Sequence, residues 1–398
     1  MNVTMTVPAR RLGLPAPVGL ALAAVAGCLP APEAPTPAPP VRLVVTERWA
    51  GGGRLVVVDD AGDRQAVLVP PPAGPPTVVR DDQAAFSPDG RWIAFVSTRG
   101  GDLATSALWL IEARVGARPV RLTRGPGAAL SPAWTADSAA VVYASDRAGS
   151  YDLYRVAIPM RDPQGRPIPA SPPRRLTDAP SHEIAPTVAA DGRLVAQVVE
   201  PGLAPRSYLA LVGADGRLEP LTDGPLDATP AWAPDGRRLA YTTGRLRADG
   251  GDDTELMVLD TERDRPPTAV TDLPTTAESG PVWSRDGRWL FATSVLIAAD
   301  GAPRWSSVIA IDLRAARPTP RMIRDRVGAI VRAGPALAPV ALDAQALARA
   351  PRYLPALDQA LRDQAAGDQA APTDEPGGGA GGRNDDEPVP RGDELVAP

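Results

Sequence analysis

The sequence predicts an all-β fold, a propeller of six four-stranded blades with seven as the alternative count. Three observations carry that prediction. A turn-centred phrase returns five times along the chain. The interval between copies is nearly constant. The residues flanking each copy alternate apolar and polar, as strands with one buried face do.

The phrase is fullest at Phe86-Ser87-Pro88-Asp89-Gly90-Arg91-Trp92-Ile93-Ala94-Phe95. It returns at Ala231 to Tyr241 and at Val282 to Phe291, and in worn form at Ala133 to Tyr143 and Thr187 to Ala196. The turn aspartates Asp89, Asp137, Asp191, Asp235 and Asp286 are 48, 54, 44 and 51 residues apart. Propeller blades repeat at roughly 40–50 residues. Ser-Pro-Asp-Gly places proline second in a tight turn, where its fixed φ helps, and glycine last. Each phrase therefore reads as a hairpin joining a first strand to a second.

The third strands follow at Leu108–Ile111, Leu153–Val156, Tyr208–Val212, Leu256–Leu259 and Val308–Ile311. Short fourth strands close the units at Arg121–Thr123, Arg175–Thr177, Pro220–Thr222 and Ala269–Thr271. The order Leu-Thr, Pro-x-Trp-Ser-Pro-Asp-Gly-Arg, aromatic, Ser-Asp-Arg-x-Gly resembles the TolB-type, WD-like propeller repeat over about residues 80–325. Ser138 for the turn glycine, Arg285 for the turn proline and Val188 for the strand tryptophan depart from it. The resemblance implies six blades, so the sixth must be assembled. Arg42–Thr46, Arg54–Asp59 and Gln65–Val69 supply three of its strands, and Ala336–Leu342 supplies the fourth. Pairing the two ends in one blade removes the free edges.

The remaining segments divide the chain into a signal peptide (1–27), a cysteine with a proline-rich linker (28–40), the propeller (41–342), a short helical segment (343–363) and an acidic Gly/Pro-rich tail (364–398) expected to be disordered. Arg10 and Arg11 precede an apolar run that ends at Val25-Ala26-Gly27-Cys28. That run is too short and proline-broken to span a bilayer. It resembles a bacterial lipobox, which implies a lipid on Cys28, the only cysteine; a plain signal peptide with a chance cysteine is the alternative. Leu29 at the next position implies the outer membrane. The proline spacer that follows would hold the ring roughly 35–40 Å off the bilayer at about 3.1 Å per residue.

Composition excludes several functions. Net charge is −5, and no basic, aromatic-rich stripe suggests nucleic acid. All 42 basic residues are arginine. There is one histidine, His182, in a loop just before a strand, and no Gly-x-Ser-x-Gly elbow. No zinc spacing or phosphate-cradling loop occurs. No catalytic residue, metal ligand or cofactor is therefore expected.

One constellation stands apart. Three places before the start of each inner strand lie Asp81, Ala129, Glu183, Asp227 and Glu278. Four of the five are acidic, and a propeller brings this position to one mouth of its channel. These carboxylates, with His182, are the candidate partner-binding residues. They read as turn caps, as a site for a basic partner group, or as a metal site. The neighbouring stretch Asp249 to Glu255 reads as a flexible acidic loop. The expected function is a monomeric, non-catalytic, lipid-anchored envelope scaffold facing the periplasm, docking an envelope protein or peptide as the TolB resemblance implies. The alternative is a propeller enzyme or a sugar- or small-molecule-binding protein.

Overall fold

The computed structural model describes residues 43–337, apart from loop stretches of which the longest are 70–78, 160–171 and 324–330. The expected signal, linker, helical segment and tail lie outside the described residues, as does Cys28.

The described chain forms six four-stranded sheets. Blade 1 holds β1 (Leu43–Trp49), β2 (Gly52–Val58) and β3 (Arg64–Val67), with β24 (Val331–Leu337) as its inner strand. Blade 2 runs β4 (Asp81–Phe86), β5 (Trp92–Ser97), β6 (Ala107–Glu112) and β7 (Val120–Arg121). Blade 3 runs β8 (Ala129–Trp134), β9 (Ala140–Ser145), β10 (Asp152–Ala157) and β11 (Arg174–Arg175). Blade 4 runs β12 (His182–Val188), β13 (Leu194–Glu200), β14 (Arg206–Val212) and β15 (Leu218–Pro220). Blade 5 runs β16 (Asp227–Trp232), β17 (Arg238–Leu246), β18 (Asp252–Asp260) and β19 (Thr268–Ala269). Blade 6 runs β20 (Thr276–Trp283), β21 (Trp289–Ile297), β22 (Pro303–Asp312) and β23 (Arg321–Ile323). Each inner strand packs against the inner strands of its two neighbours, from β24 through β4, β8, β12, β16 and β20 back to β24. The ring is closed.

Closure joins the two ends of the propeller, as expected, but with a shifted strand. β24 ends at Leu337 rather than starting near Ala336, and pairs antiparallel with β1, Leu43 opposite Leu337 and Arg48 opposite Val331. Its Gly334-Pro335 takes the place of Gly280-Pro281 in β20, which sets the frame. The acidic stretch expected as a loop is strand from Asp252 onward.

The core lies between blades. Val44, Leu55 and Val57 of blade 1 pack with Ile93, Phe95 and Ile111 of blade 2. The seam between blades 2 and 3 joins Leu108 and Leu110 to Trp134, Tyr143 and Tyr154. Each fully buried leucine or phenylalanine stabilises by about 1.5–3 kcal/mol. The recurring Leu-Thr has a specific task at these seams. Thr123, Thr177, Thr222 and Thr271 each accept a hydrogen bond from the backbone N–H of the third-strand leucine: Leu108, Leu153, Leu209 and Leu256 at 2.9, 2.9, 3.0 and 2.8 Å. A buried N–H without an acceptor is costly, so the threonine type recurs.

Candidate functional site: the two mouths of the ring

Inner strands run from one mouth, where they begin, to the other, where they leave for the Ser-Pro-Asp-Gly turns. At the strand-start mouth the predicted acidic residues are brought to one level of the ring, one to a blade, but not together. Asp81, Glu183, Asp227 and Glu278 are 2, 0, 3 and 1% exposed. Asp81 receives the Ser97 hydroxyl at 2.6 Å and a two-pronged bond from Arg99, Nε at 3.0 Å and Nη2 at 2.6 Å. Glu278 receives the hydroxyls of Thr276 and Ser294 at 2.8 and 2.9 Å. Asp227 takes the Gly224 N–H at 3.2 Å. A Cβ on Gly224 would stand 2.3 Å from that carboxylate, so any other residue there would force the Asp227 side chain to shift. Glu183 receives Ser181 Oγ at 2.5 Å, and its other oxygen is buried without a hydrogen-bond partner. Burial drives its pKa up, the Ser181 and Thr177 hydroxyls oppose that, and the like charge of Asp152 reinforces it. Ala129, the one non-acidic member, is also buried. These carboxylates face their own chain, not an open mouth.

His182 is the first residue of β12 rather than a loop residue. Its Nδ1 accepts from the Tyr151 backbone N–H at 3.1 Å, tying blade 3 to blade 4.

Two features of the blades escape sequence reasoning. Each of β4, β8, β12, β16 and β20 carries a bulge, and its third to fifth residue turns left-handed there: Gln83, Ser131, Ala185, Thr229 and Gly280, with φ of 51, 52, 46, 47 and 60°. Four are not glycine, and each such residue costs about 1–3 kcal/mol. Neighbouring blades offset it. Gln83 Oε1 accepts the Ser131 N–H at 2.6 Å, Gln197 Oε1 accepts the Thr229 N–H at 3.3 Å, and Thr229 Oγ1 accepts the Gly280 N–H at 3.4 Å. The second feature is a pair of fully buried acids on third strands, Asp152 and Glu255. Aligning the repeats on the third-strand leucine, instead of the turn, would have found both.

The turn-side mouth is built differently. Within each turn the aspartate collects its own chain: Asp89 Oδ1 takes the Ser87 hydroxyl at 2.5 Å and the Arg91 N–H at 2.9 Å. Ser138 adopts φ 58° where glycine was expected, and its hydroxyl accepts the Asp89 N–H of the preceding blade at 3.1 Å. Arg193 donates to the Gly236 carbonyl and lies 4.7 Å over the Trp232 ring. Arg238 donates to the Gly287 carbonyl at 3.0 Å and lies 4.7 Å over Trp283. The turns thus bind blade to blade as well as strand to strand.

Inside this crown of turns lies a cavity of 390 Å³, walled by Trp134, Trp232 and Trp283, by prolines including Pro88 and Pro234, and by small residues such as Ala190. Val188 is part of the wall. It occupies the position that holds tryptophan in blades 3, 5 and 6, so the wall is short there. Trp134 and Trp283 give their indole N–H groups to the Ala85 and Ala231 carbonyls at 2.9 and 3.0 Å. The Trp232 indole N–H is buried and has no acceptor. The cavity can hold an apolar side chain. Among the described residues no group of three or more His, Cys, Asp or Glu could hold a metal.

A family model described as the TolB beta propeller domain matches residues 80–245. No curated protein matches the chain by sequence. Among solved structures, TolB from Acinetobacter baumannii is 17% identical with a TM-score of 0.50, over 75% of this chain and 67% of that one. A putative TolB from Agrobacterium tumefaciens is 15% identical with a TM-score of 0.48, over 72% and 89%. Hydrazine synthase from Kuenenia stuttgartiensis is 12% identical with a TM-score of 0.54, over 75% of this chain and 47% of that one. At these identities the structural likeness speaks for fold alone. The family match over residues 80–245 and the six closed blades show a TolB-like β-propeller fold.

Proposed function

We propose that the chain is a non-catalytic envelope propeller that docks a protein or peptide segment at its turn-side mouth. The observation that supports this reading is the tryptophan-walled cavity, whose 390 Å³ lies within the range of ligand pockets, about 300–1,000 Å³. Tryptophan-rich, desolvated recesses are where interfaces concentrate their binding energy. The carboxylates expected to receive a basic partner group are at most 3% exposed, which favours the opposite end of the ring for partner contact. His182, the single histidine, is engaged with the Tyr151 backbone, which favours binding over catalysis. Attachment to the outer membrane through Cys28, facing the periplasm, belongs to the same proposal and rests on Val25-Ala26-Gly27-Cys28.

The test is Val188→Trp, which fills the short wall with the residue three other blades carry there. Partners crosslinked in intact cells are recovered with wild type and variant. Recovery should fall at least tenfold in the variant while its unfolding midpoint stays near wild type. Equal recovery would refute docking at this mouth. Cys28→Ser should move the protein from the membrane to the soluble fraction, and continued membrane retention would sink the anchor.

A further inference from the structure

We infer that Arg285 selects the occupant of the tryptophan-walled cavity, and that this occupant is a protein segment pairing an apolar side chain with an aspartate or glutamate. The inference rests on docking at the turn-side mouth and names the chemistry docked there. Arg285 holds the second place of the blade 6 turn. The backbone of that turn matches those of blades 2 and 5. The Gly287 N–H donates to the Ser284 carbonyl at 2.9 Å, as Gly90 does to Ser87 at 2.8 Å and Gly236 to Ala233 at 2.9 Å. In the turns of blades 2 to 5 the second place holds Pro88, Ala136, Ala190 and Pro234, and all of these line the cavity. Trp283, two residues before Arg285, lines it too. Arg285 is therefore rooted at the cavity rim, and it is exposed there.

Other arginines of these turns are committed within the ring. Arg193 pairs with Asp191 at 2.7 Å, Arg238 with Asp235 at 2.7 Å, Arg237 with Asp260 at 2.6 Å and Arg288 with Asp312 at 2.6 Å. Arg285 makes no ion pair or side-chain hydrogen bond with any described residue. Its neighbour Asp286 turns back into the turn, where its Oδ1 receives the Ser284 hydroxyl at 2.5 Å and the Arg288 N–H at 3.1 Å. Arginine forgoes the fixed φ that proline supplies at this place and presents a planar fork of donors instead. The described wall behind it holds no ionisable side chain. It is tryptophan, proline, alanine, valine and one threonine, Thr187, whose Oγ1 accepts the Trp232 N–H at 3.2 Å. A segment suited to this mouth buries an uncharged side chain in the cavity and meets Arg285 with a carboxylate at the rim, so no charge enters the apolar wall. One guanidinium matches one carboxylate, whereas a phosphate group, at about −1.5 to −2, calls for more than one.

The experiment selects from a random dodecapeptide library displayed on phage, against the purified full chain as wild type, Arg285→Glu, Arg285→Pro and Val188→Trp. Arg285→Pro restores the residue that blades 2 and 5 carry in the same turn. Wild type should enrich peptides with a large apolar residue and an aspartate or glutamate at a fixed spacing from it. Arg285→Glu should exchange that acid for lysine or arginine, and Val188→Trp should abolish enrichment. The best peptide, synthesised with blocked ends, should bind wild type about three- to fivefold tighter than the same peptide with the acid replaced by its amide, the size of a partly exposed ion pair. Arg285→Pro should bind the two equally. A consensus without an acid, or the same acidic consensus on wild type and Arg285→Glu, would overturn the inference and leave docking standing. Full affinity of an acid-free peptide ending in a free carboxylate would reassign Arg285 to a chain terminus and overturn the side-chain assignment. An acidic consensus that survives Val188→Trp would remove the cavity from both readings, and no enrichment on wild type would overturn both.

Discussion

Asp81 decides between two readings of the strand-start mouth, a ligand-facing acid or a structural one. The perturbation is Asp81→Ala. In the ring, Asp81 and Arg99 form a two-pronged ion pair whose side chains are 3 and 7% exposed, with the Ser97 hydroxyl as a third contact. Removing one member of a buried pair costs about 3–5 kcal/mol, mostly because the remaining charge keeps its desolvation penalty. Replacing both members by apolar residues of similar volume, Asp81→Leu with Arg99→Met, is close to neutral by the same reasoning. At about 2–4 °C per kcal/mol for a chain of this size class, Asp81→Ala should lower the melting temperature by roughly 6–20 °C. The assay is urea and thermal unfolding followed by tryptophan fluorescence, on both single variants and the double. The expected pattern is strong non-additivity, with the double variant more stable than either single. An Asp81→Ala protein within about 1 kcal/mol of wild type that has lost its partner would refute the structural reading.

Thr271→Val removes the acceptor of the Leu256 N–H in the blade 5 seam, and should cost about 1–3 kcal/mol in the unfolding midpoint. No loss would show that the Leu-Thr period is not a hydrogen-bond requirement. Glu183 has a raised folded pKa, so its contribution is complete below the ordinary glutamate value, about 4.3, and is lost as pH rises through the folded value. Glu183→Gln should flatten the decline in urea midpoint between pH 4.5 and 8, and an unchanged slope would count against a buried neutral acid. Asp260 behaves oppositely. The Arg237 hydrogen bond holds its pKa down to about 2, so its contribution is present above the ordinary aspartate value and is lost as pH falls towards the folded one. Asp260→Asn should make acid unfolding between pH 4 and 2 shallower, and an identical acid limb would remove that ion pair from the stability of blade 5.

The ring was legible because its repeats are local. Hairpin turns, third strands and the Leu-Thr cap each involve residues close in sequence, so the pattern of residue types records them. Bulges were not legible, because Gln83, Ser131, Ala185 and Thr229 are left-handed without being glycine, and the bonds that hold Ser131 and Thr229 come from the adjacent blade. Only Gly280-Pro281 gives a hint. The acidic positions were found, but their surroundings were not. Ser97 and Arg99 reach Asp81 from the next strand and its loop, and burial depends on how blades stack. Val188 was visible as a departure from the strand tryptophan. Its effect, a smaller side chain in a cavity wall otherwise made of tryptophan, appears only when Trp134 and Trp232 are placed around it.

Blade 1 also decides how the ring responds to a pulling force. Leu43 and Leu337 are paired opposite one another, so the chain enters β1 and leaves β24 at the same end of their shared ladder. Tension between a point before Leu43 and a point after Leu337 would load the hydrogen bonds of that ladder one after another, as in opening a zipper, instead of all at once in shear. The seam that closes the ring is therefore its mechanically weakest line. A propeller held at one end and tugged at the other would part there first, with five blades still intact.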